Sequence, residues 1–159
     1  LPVENSGTLS VLNTHLSAFA QSSNTMEIQV TQVMNLMNRR QPQEFDHIIL
    51  GGDFNLLPSS FAYDMLDGKG KSYYNPNGTE LAPLLKTFKS IPSLDNMNGE
   101  DHARWFTYSP NHVSGALPNR TIDYLFYTEN LTLVTQKVQL EDTLMISDHL
   151  PVIGVFTLP

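Results

Sequence analysis

An α/β fold is predicted by three stretches near the start of the chain. Residues 7–16 are rich in β-formers and begin at a glycine, which reads as a strand running into a loop at His15. Met26, Val30, Val33, Met34 and Met37 recur at helical intervals, so they share one face of a helix. His47-Ile48-Ile49-Leu50 is a short unbroken apolar run, the pattern of a strand buried on both faces. Strand, helix and strand in that order imply layered α/β architecture with a site at the strand ends.

The other elements follow from local signals. Residues 17–25 are small and polar, a loop. Asn24 with Glu27 three residues on marks the helix start. Arg39 and Arg40 suit its C-terminal end, and Pro42 lies just beyond. The helix methionines read as core filler. Residues 59–66, after Pro58, form a short helix, and 81–88 a helical turn. Residues 67–78 carry Gly68, Gly70, Pro76 and Gly78 and read as a long loop. Strands are expected at 105–108, 121–127, 131–140 and 152–157, with loops at 110–118 and 141–149.

Composition limits what the chain can be. Its 159 residues suffice for one domain, and 40% hydrophobic with 16% charged residues describes a folded globular chain. Sixteen acids against nine bases, a formal charge of -7, argue against a sequence-independent nucleic-acid binder. They leave open an enzyme acting on nucleic acid, since metal-binding carboxylates add to the acid count. With no cysteine there are no disulfides, thiolate zinc sites or cysteine nucleophiles. No apolar run approaches the roughly 18 residues of a membrane span, so a soluble protein is expected. The chain begins Leu1-Pro2-Val3 rather than with Met, as a processed or excised piece of a longer protein would.

Four polar clusters end or interrupt the apolar strands. They are Asn13-Thr14-His15-Leu16, Gly52-Asp53-Phe54-Asn55, Thr121-Ile122-Asp123-Tyr124 and Ser147-Asp148-His149-Leu150-Pro151. Asp and His at strand ends suit a divalent metal or an acid–imidazole pair. Taken singly, each Asp also reads as a turn or cap residue. His47, His102 and His112 read as structural. The stretch Asp67 to Tyr74 holds two lysines, two glycines and two tyrosines. It suits wrapping a phosphorylated or nucleic-acid substrate, but reads first as a plain solvated loop. Trp105 and Tyr108 read as core or rim aromatics.

Together, in this order, the clusters resemble the DNase-I-like endonuclease/exonuclease/phosphatase superfamily. Gly52-Asp53-Phe54-Asn55 matches its Gly-Asp-Phe-Asn motif, and Ser147-Asp148-His149-Leu150-Pro151-Val152 its Ser-Asp-His-x-Pro-Val motif. Asn13-Thr14-His15-Leu16 matches the Asn-Thr-His-Leu form of some branches. Arg120-Thr121-Ile122-Asp123-Tyr124 resembles the Arg-x-Asp-Tyr strand with one more residue between Arg and Asp, and Phe106-Thr107-Tyr108 stands where an aromatic strand precedes it.

The resemblance implies a four-layer α/β/β/α sandwich, of which this chain carries the C-terminal half. Residues 1–159 are then part of a single domain. The strands bearing the family's metal-binding Asn and Glu precede this sequence, and Glu4, Glu27 and Glu44 stand in the wrong context to replace that Glu. The N-terminal half becomes an expected partner.

The resemblance also implies roles. Asp53 orients or deprotonates the attacking water, and Asn55 holds Asp53 or the phosphate. His149 contacts the phosphate as base or cationic stabiliser, with Asp123 behind it. His15 donates to a phosphate oxygen. Asp148 and Asp53 lie at a metal, for which Mg2+ suits the oxygen-rich set, with Mn2+ as the alternative. The implied activity is hydrolysis of a phosphodiester or phosphomonoester in nucleic acid, phospholipid or inositol phosphate. The alternative is an inactive member serving as a binding or regulatory module.

Overall fold

The structure, a computed structural model, describes residues 1–3, 7–18, 23–40 and 47–158. Pro42, Glu4 and Glu44 lie outside the described residues.

A five-stranded mixed sheet forms the centre. Its strands are β1 (Pro2–Val3), β2 (Gly7–His15), β3 (His47–Asp53), β4 (Lys89–Ile91) and β5 (Asp123–Tyr127). Their spatial order is β1-β2-β3-β5-β4. Strands β2 and β3 run parallel, joined through helix α1 (Thr25–Arg40), whereas β5 runs antiparallel to both β3 and β4. A separate hairpin pairs β6 (Thr132–Val138) with β7 (Val152–Thr157).

Strand alternation sorts the side chains into layers. Ile48 and Leu50 of β3, with Tyr124 and Phe126 of β5, pack under α1 with its Met26, Val30, Val33 and Met37. α4 (Ala82–Thr87) adds Leu84 to the same side. Ile49, Leu125 and Tyr127 face the other way and meet Leu133, Val152 and Phe156 of the hairpin. The chain thus stacks helix, sheet and hairpin. Val134, Ile153 and Val155, on the hairpin's outward side, are 55%, 36% and 50% exposed.

The helix face matches expectation: Met26, Val30, Val33 and Met37 are all buried. Three expectations need correction. The stretch 67–78 is not wholly loop, because Gly68–Lys71 form a helical turn, α3. The Asp67 carboxylate caps it by accepting from the Gly70 N–H at 2.5 Å, which offsets the poor propensity of two glycines. Residues 105–108 are not a strand. A 3-10 turn spans His102–Trp105, and only Tyr108 makes isolated bridges, to Arg120 and His149. Strands β5 and β6 are shorter than 121–127 and 131–140.

Two short helices complete the layer behind the site. α2 (Ser60–Asp64) starts at a Ser59 cap, and α5 (Leu94–Asn98) at a reciprocal Ser93–Asn96 capping box.

Candidate active site

The site is a product of register. His15 ends β2 directly beside Asp53 at the end of β3, and Asp53 sits opposite Asp123 at the start of β5. Asp53 shares strand parity with Ile49, and Asp123 with Leu125, so both point to the hairpin side of the sheet. His149 enters from the segment leading into β7. Four segments distant in sequence therefore meet at one end of the sheet.

The backbone there is heavily fastened. Gly52 has φ 150°, and a Cβ at this position would lie 1.9 Å from the Thr14 carbonyl oxygen. Only glycine lets β3 approach β2 so closely beside the site. Asn55 adopts the left-handed conformation, φ 52°, which Asn tolerates better than most residues. Its N–H donates to Asp53 Oδ1 at 2.8 Å and its Nδ2 to the Leu16 carbonyl at 3.0 Å. Asn55 thus ties the carboxylate to the β2 loop, while its side chain is buried and committed to backbone.

Across the site, Thr107 Oγ1 accepts from the Ile122 and Asp123 N–H groups at 3.0 and 3.1 Å. The Tyr124 hydroxyl reaches the Leu56 and Thr121 carbonyls at 2.9 and 2.8 Å. His149 is set by the Leu150 N–H donating to the Thr107 carbonyl at 2.7 Å and the Ser109 N–H to that of Asp148 at 2.9 Å.

His149 Nδ1 lies 3.1 and 3.0 Å from the two Asp123 oxygens. Its Nε2 lies 3.9 Å from Asp53 Oδ2, which also has His15 Nε2 at 3.4 Å. The hydrogen bond that His149 donates to the Asp123 carboxylate raises its pKa above the ordinary value despite burial, with further support from the charges of Asp123, Asp53 and Asp148. Burial raises the Asp53 carboxyl pKa, the Asn55 amide lowers it, and the facing Asp123 charge raises it again. Both groups are thus shifted upward, the carboxyl by burial and the imidazole by its carboxylate partner.

Asp53, Asp123 and His149 each offer a donor atom within 4.8 Å of the others, so these residues could hold a metal ion. A cation would relieve the two carboxylates placed face to face, and the oxygen-rich donors fit a hard divalent ion. Asp148 is half-buried and outside that group; it acts on His149 through charge.

The structure therefore brings together His15, Asp53, Asn55, Asp123 and His149 and leaves Asp148 at the margin. Sequence reasoning missed Thr107, which is fully buried. A threonine between two aromatics carries no signal that its hydroxyl will clamp another strand. His47 is buried in the core, and His102 Nδ1 faces the Gly99 carbonyl at 2.9 Å, in keeping with structural roles.

A carboxylate-backed imidazole and a second, half-buried carboxylate therefore stand together at the strand ends of an α/β sheet. The sequence profile of the Endonuclease/Exonuclease/phosphatase family matches residues 23–149. The chain belongs to that family, and its fold is of the DNase-I-like type.

Three solved structures illustrate the fold. An AP endonuclease from Archaeoglobus fulgidus superposes with TM-score 0.61 at 17% identity, over 94% of this chain and 62% of that one. An endonuclease/exonuclease/phosphatase from Beutenbergia cavernae DSM 12333 gives 0.58 at 21% identity, over 99% and 38%. The human Nocturnin catalytic domain with bound sulfate gives 0.51 at 20% identity, over 91% and 46%. The chain thus spans less than two thirds of each. No curated protein matches it. No helix among the described residues is long and apolar enough to cross a membrane.

Proposed function

We propose that this chain carries the catalytic face of a metal-dependent phosphoesterase that attacks its substrate directly with water. The observation that carries this reading is the Asp53–His149–Asp123 arrangement, with His149 Nδ1 on both Asp123 oxygens and Nε2 turned to Asp53. Asp53 takes the proton from water as the water oxygen bonds to phosphorus. His149, held protonated by Asp123, donates to a non-bridging phosphate oxygen where negative charge builds. The ester oxygen departs with the bonding pair and is protonated from solvent. His15 supplies a second donor to the phosphate from the open side. Asn55 holds the Asp53 carboxylate in line.

Mg2+, or Mn2+ in its place, is proposed at Asp53, with Asp148, which lies outside the Asp53–Asp123–His149 group, joining through water; the ion would supply positive charge against the phosphate. The proposed substrate is a phosphodiester or phosphomonoester. An AP endonuclease among its structural relatives favours nucleic acid, while the charge of -7 favours a smaller or lipid phosphoester.

We also propose that residues 1–159 are the C-terminal part of one domain whose N-terminal strands bring a further metal-binding Asn and Glu. Support comes from the uncovered apolar side of the hairpin at Val134, Ile153 and Val155. This reading predicts that supplying that part raises the melting temperature. An unchanged melting curve would overturn it.

The deciding experiment is hydrolysis of a chromogenic phosphodiester by the full-length protein with Mg2+ and with chelator. Turnover that needs the ion and disappears in Asp53→Asn is expected. Equal turnover in chelator, or in Asp53→Asn, would refute the mechanism. A steep loss of rate with salt would select nucleic acid as substrate.

A further inference from the structure

We infer that Tyr108 is a positioning residue that sets the plane of the His149 imidazole, and that the buried Arg120 guanidinium holds Tyr108 in place. The functional half of this inference rests on the phosphoesterase reading.

Asp123 fixes one corner of the imidazole. With both carboxylate oxygens at 3.0–3.1 Å from Nδ1, the ring can still swing about that corner and carry Nε2 away from Asp53. A contact on the ring itself is needed to stop the swing. Tyr108 supplies it: the two ring centroids are 4.8 Å apart with planes tilted by 51°. The contact is built into the backbone, because Tyr108 bridges His149 on one edge and Arg120 on the other. Its N–H donates to the Arg120 carbonyl at 3.1 Å, and its carbonyl accepts from the Asn119 N–H at 3.0 Å. Tyrosine and histidine are therefore cross-strand neighbours, whose side chains meet.

Arg120 lies behind this pair. It is 5% exposed, which is rare for a charged residue and costly unless the charge is well placed. Its guanidinium carbon sits 5.7 Å from the Tyr108 ring centre and 5.6 Å from that of Tyr74, and Nε donates to Asn119 Oδ1 at 2.9 Å. Tyr74 belongs to a buried cluster with Leu57, Ala62, Leu66 and Ile122, against which Tyr108 also packs. A continuous file of Tyr74, Arg120, Tyr108 and His149 thus runs from that core to the site. Cation–ring contacts of this kind are attractive and orientation-dependent.

The test uses the full-length protein with Tyr108→Phe, Tyr108→Leu and Tyr108→Met. The first keeps the ring, and the other two remove it by different shapes in case one fails to fold. The imidazole carbon-bound proton resonances of His149, assigned through His149→Ala, give a readout that needs no activity. They should stay in place in Tyr108→Phe and move in the ringless variants. Turnover should fall roughly tenfold or more in the ringless variants with little change in KM, and Tyr108→Phe should restore it. In a His149→Ala background the same substitutions should cost nothing further, since Tyr108 acts through that ring. Unmoved resonances, or losses that add fully to that of His149→Ala, would overturn the inference. A wild-type protein that hydrolyses no phosphoester would sink the phosphoesterase reading instead, while the resonances still decide the placement of the ring.

Discussion

Two histidines approach the same oxygen, Asp53 Oδ2, from opposite circumstances. His15 Nε2 is 3.4 Å away on a side chain that is 74% exposed. His149 Nε2 is 3.9 Å away on a side chain 32% exposed, with its other nitrogen held by Asp123. The shorter contact belongs to the looser residue. Distance to the acceptor alone does not identify the group prepared for chemistry. What identifies it is the second partner, Asp123, which orients the ring and raises its pKa. On the proposed mechanism His15 is an adaptable donor that substrate would order, whereas His149 is oriented beforehand.

The largest effect should come from removing what the two share. Asp53→Asn is expected to lower turnover roughly thousandfold, since it removes the base and the acceptor of both imidazoles together. A loss under about tenfold in steady-state assays would mean that the base lies elsewhere. Asp123→Asn strikes only His149, and a fall of roughly a hundredfold is expected. The pH profile should separate the two as well. Activity should rise as Asp53 ionises, at a pH above the usual carboxylate range because its pKa is raised by burial. It should fall as His149 loses its proton above the ordinary imidazole range. Asp123→Asn should move that alkaline limb to lower pH, and an unmoved limb would assign it to another group. His15→Gln should cost roughly tenfold or less, mostly in KM, as suits an exposed donor without a second anchor.

The smallest effect concerns stability. The His149 pKa is raised in the folded state, so its pairing with Asp123 contributes fully below the ordinary value of 6.5 and is lost as pH rises through the folded value. Asp53 is also raised and acts in the same direction, but at more acid pH. The wild type should therefore melt a few degrees lower at about pH 9 than at about pH 6 by calorimetry, and Asp123→Asn should narrow that gap. An equal gap in both would show that the pair adds nothing to folding.

How far the sequence disclosed this arrangement depends on how local each signal was. The apolar run at β3 and the helical spacing of α1 are written in adjacent residues, and both appear in the structure as read. So do the cap-led α2 and the turn at α4. Strand β4 has three residues and holds its place by pairing with β5, so nothing in Lys89-Ser90-Ile91 alone announces it. The turn at α3 hides inside a glycine-rich stretch because one capping carboxylate outweighs composition. For the site, the structure brings together His15, Asp53, Asn55, Asp123 and His149 from the four motifs. The resemblance puts Asp123 behind His149 and keeps His15 apart as a donor, but the motif spacing carries no distance between Asp123 and His149. Nor could the motifs give Thr107, Tyr108 or Arg120 their tasks, since an aromatic between polar residues reads as ordinary packing.

The ties that close this site join remote parts of the chain. Asn55 to Leu16 spans 39 residues, Asp123 to His149 spans 26 and Tyr124 to Leu56 spans 68. Each demands that a loop be closed before the contact can form, and closure is entropically unfavourable. Helix α1 needs none of these and can form early. A chain with its helices intact but its sheet unfinished would look folded by circular dichroism and would lack a working centre. On the proposed function, regained turnover during renaturation would time the completion of the sheet, making the candidate site the molecule's own assay of correct assembly.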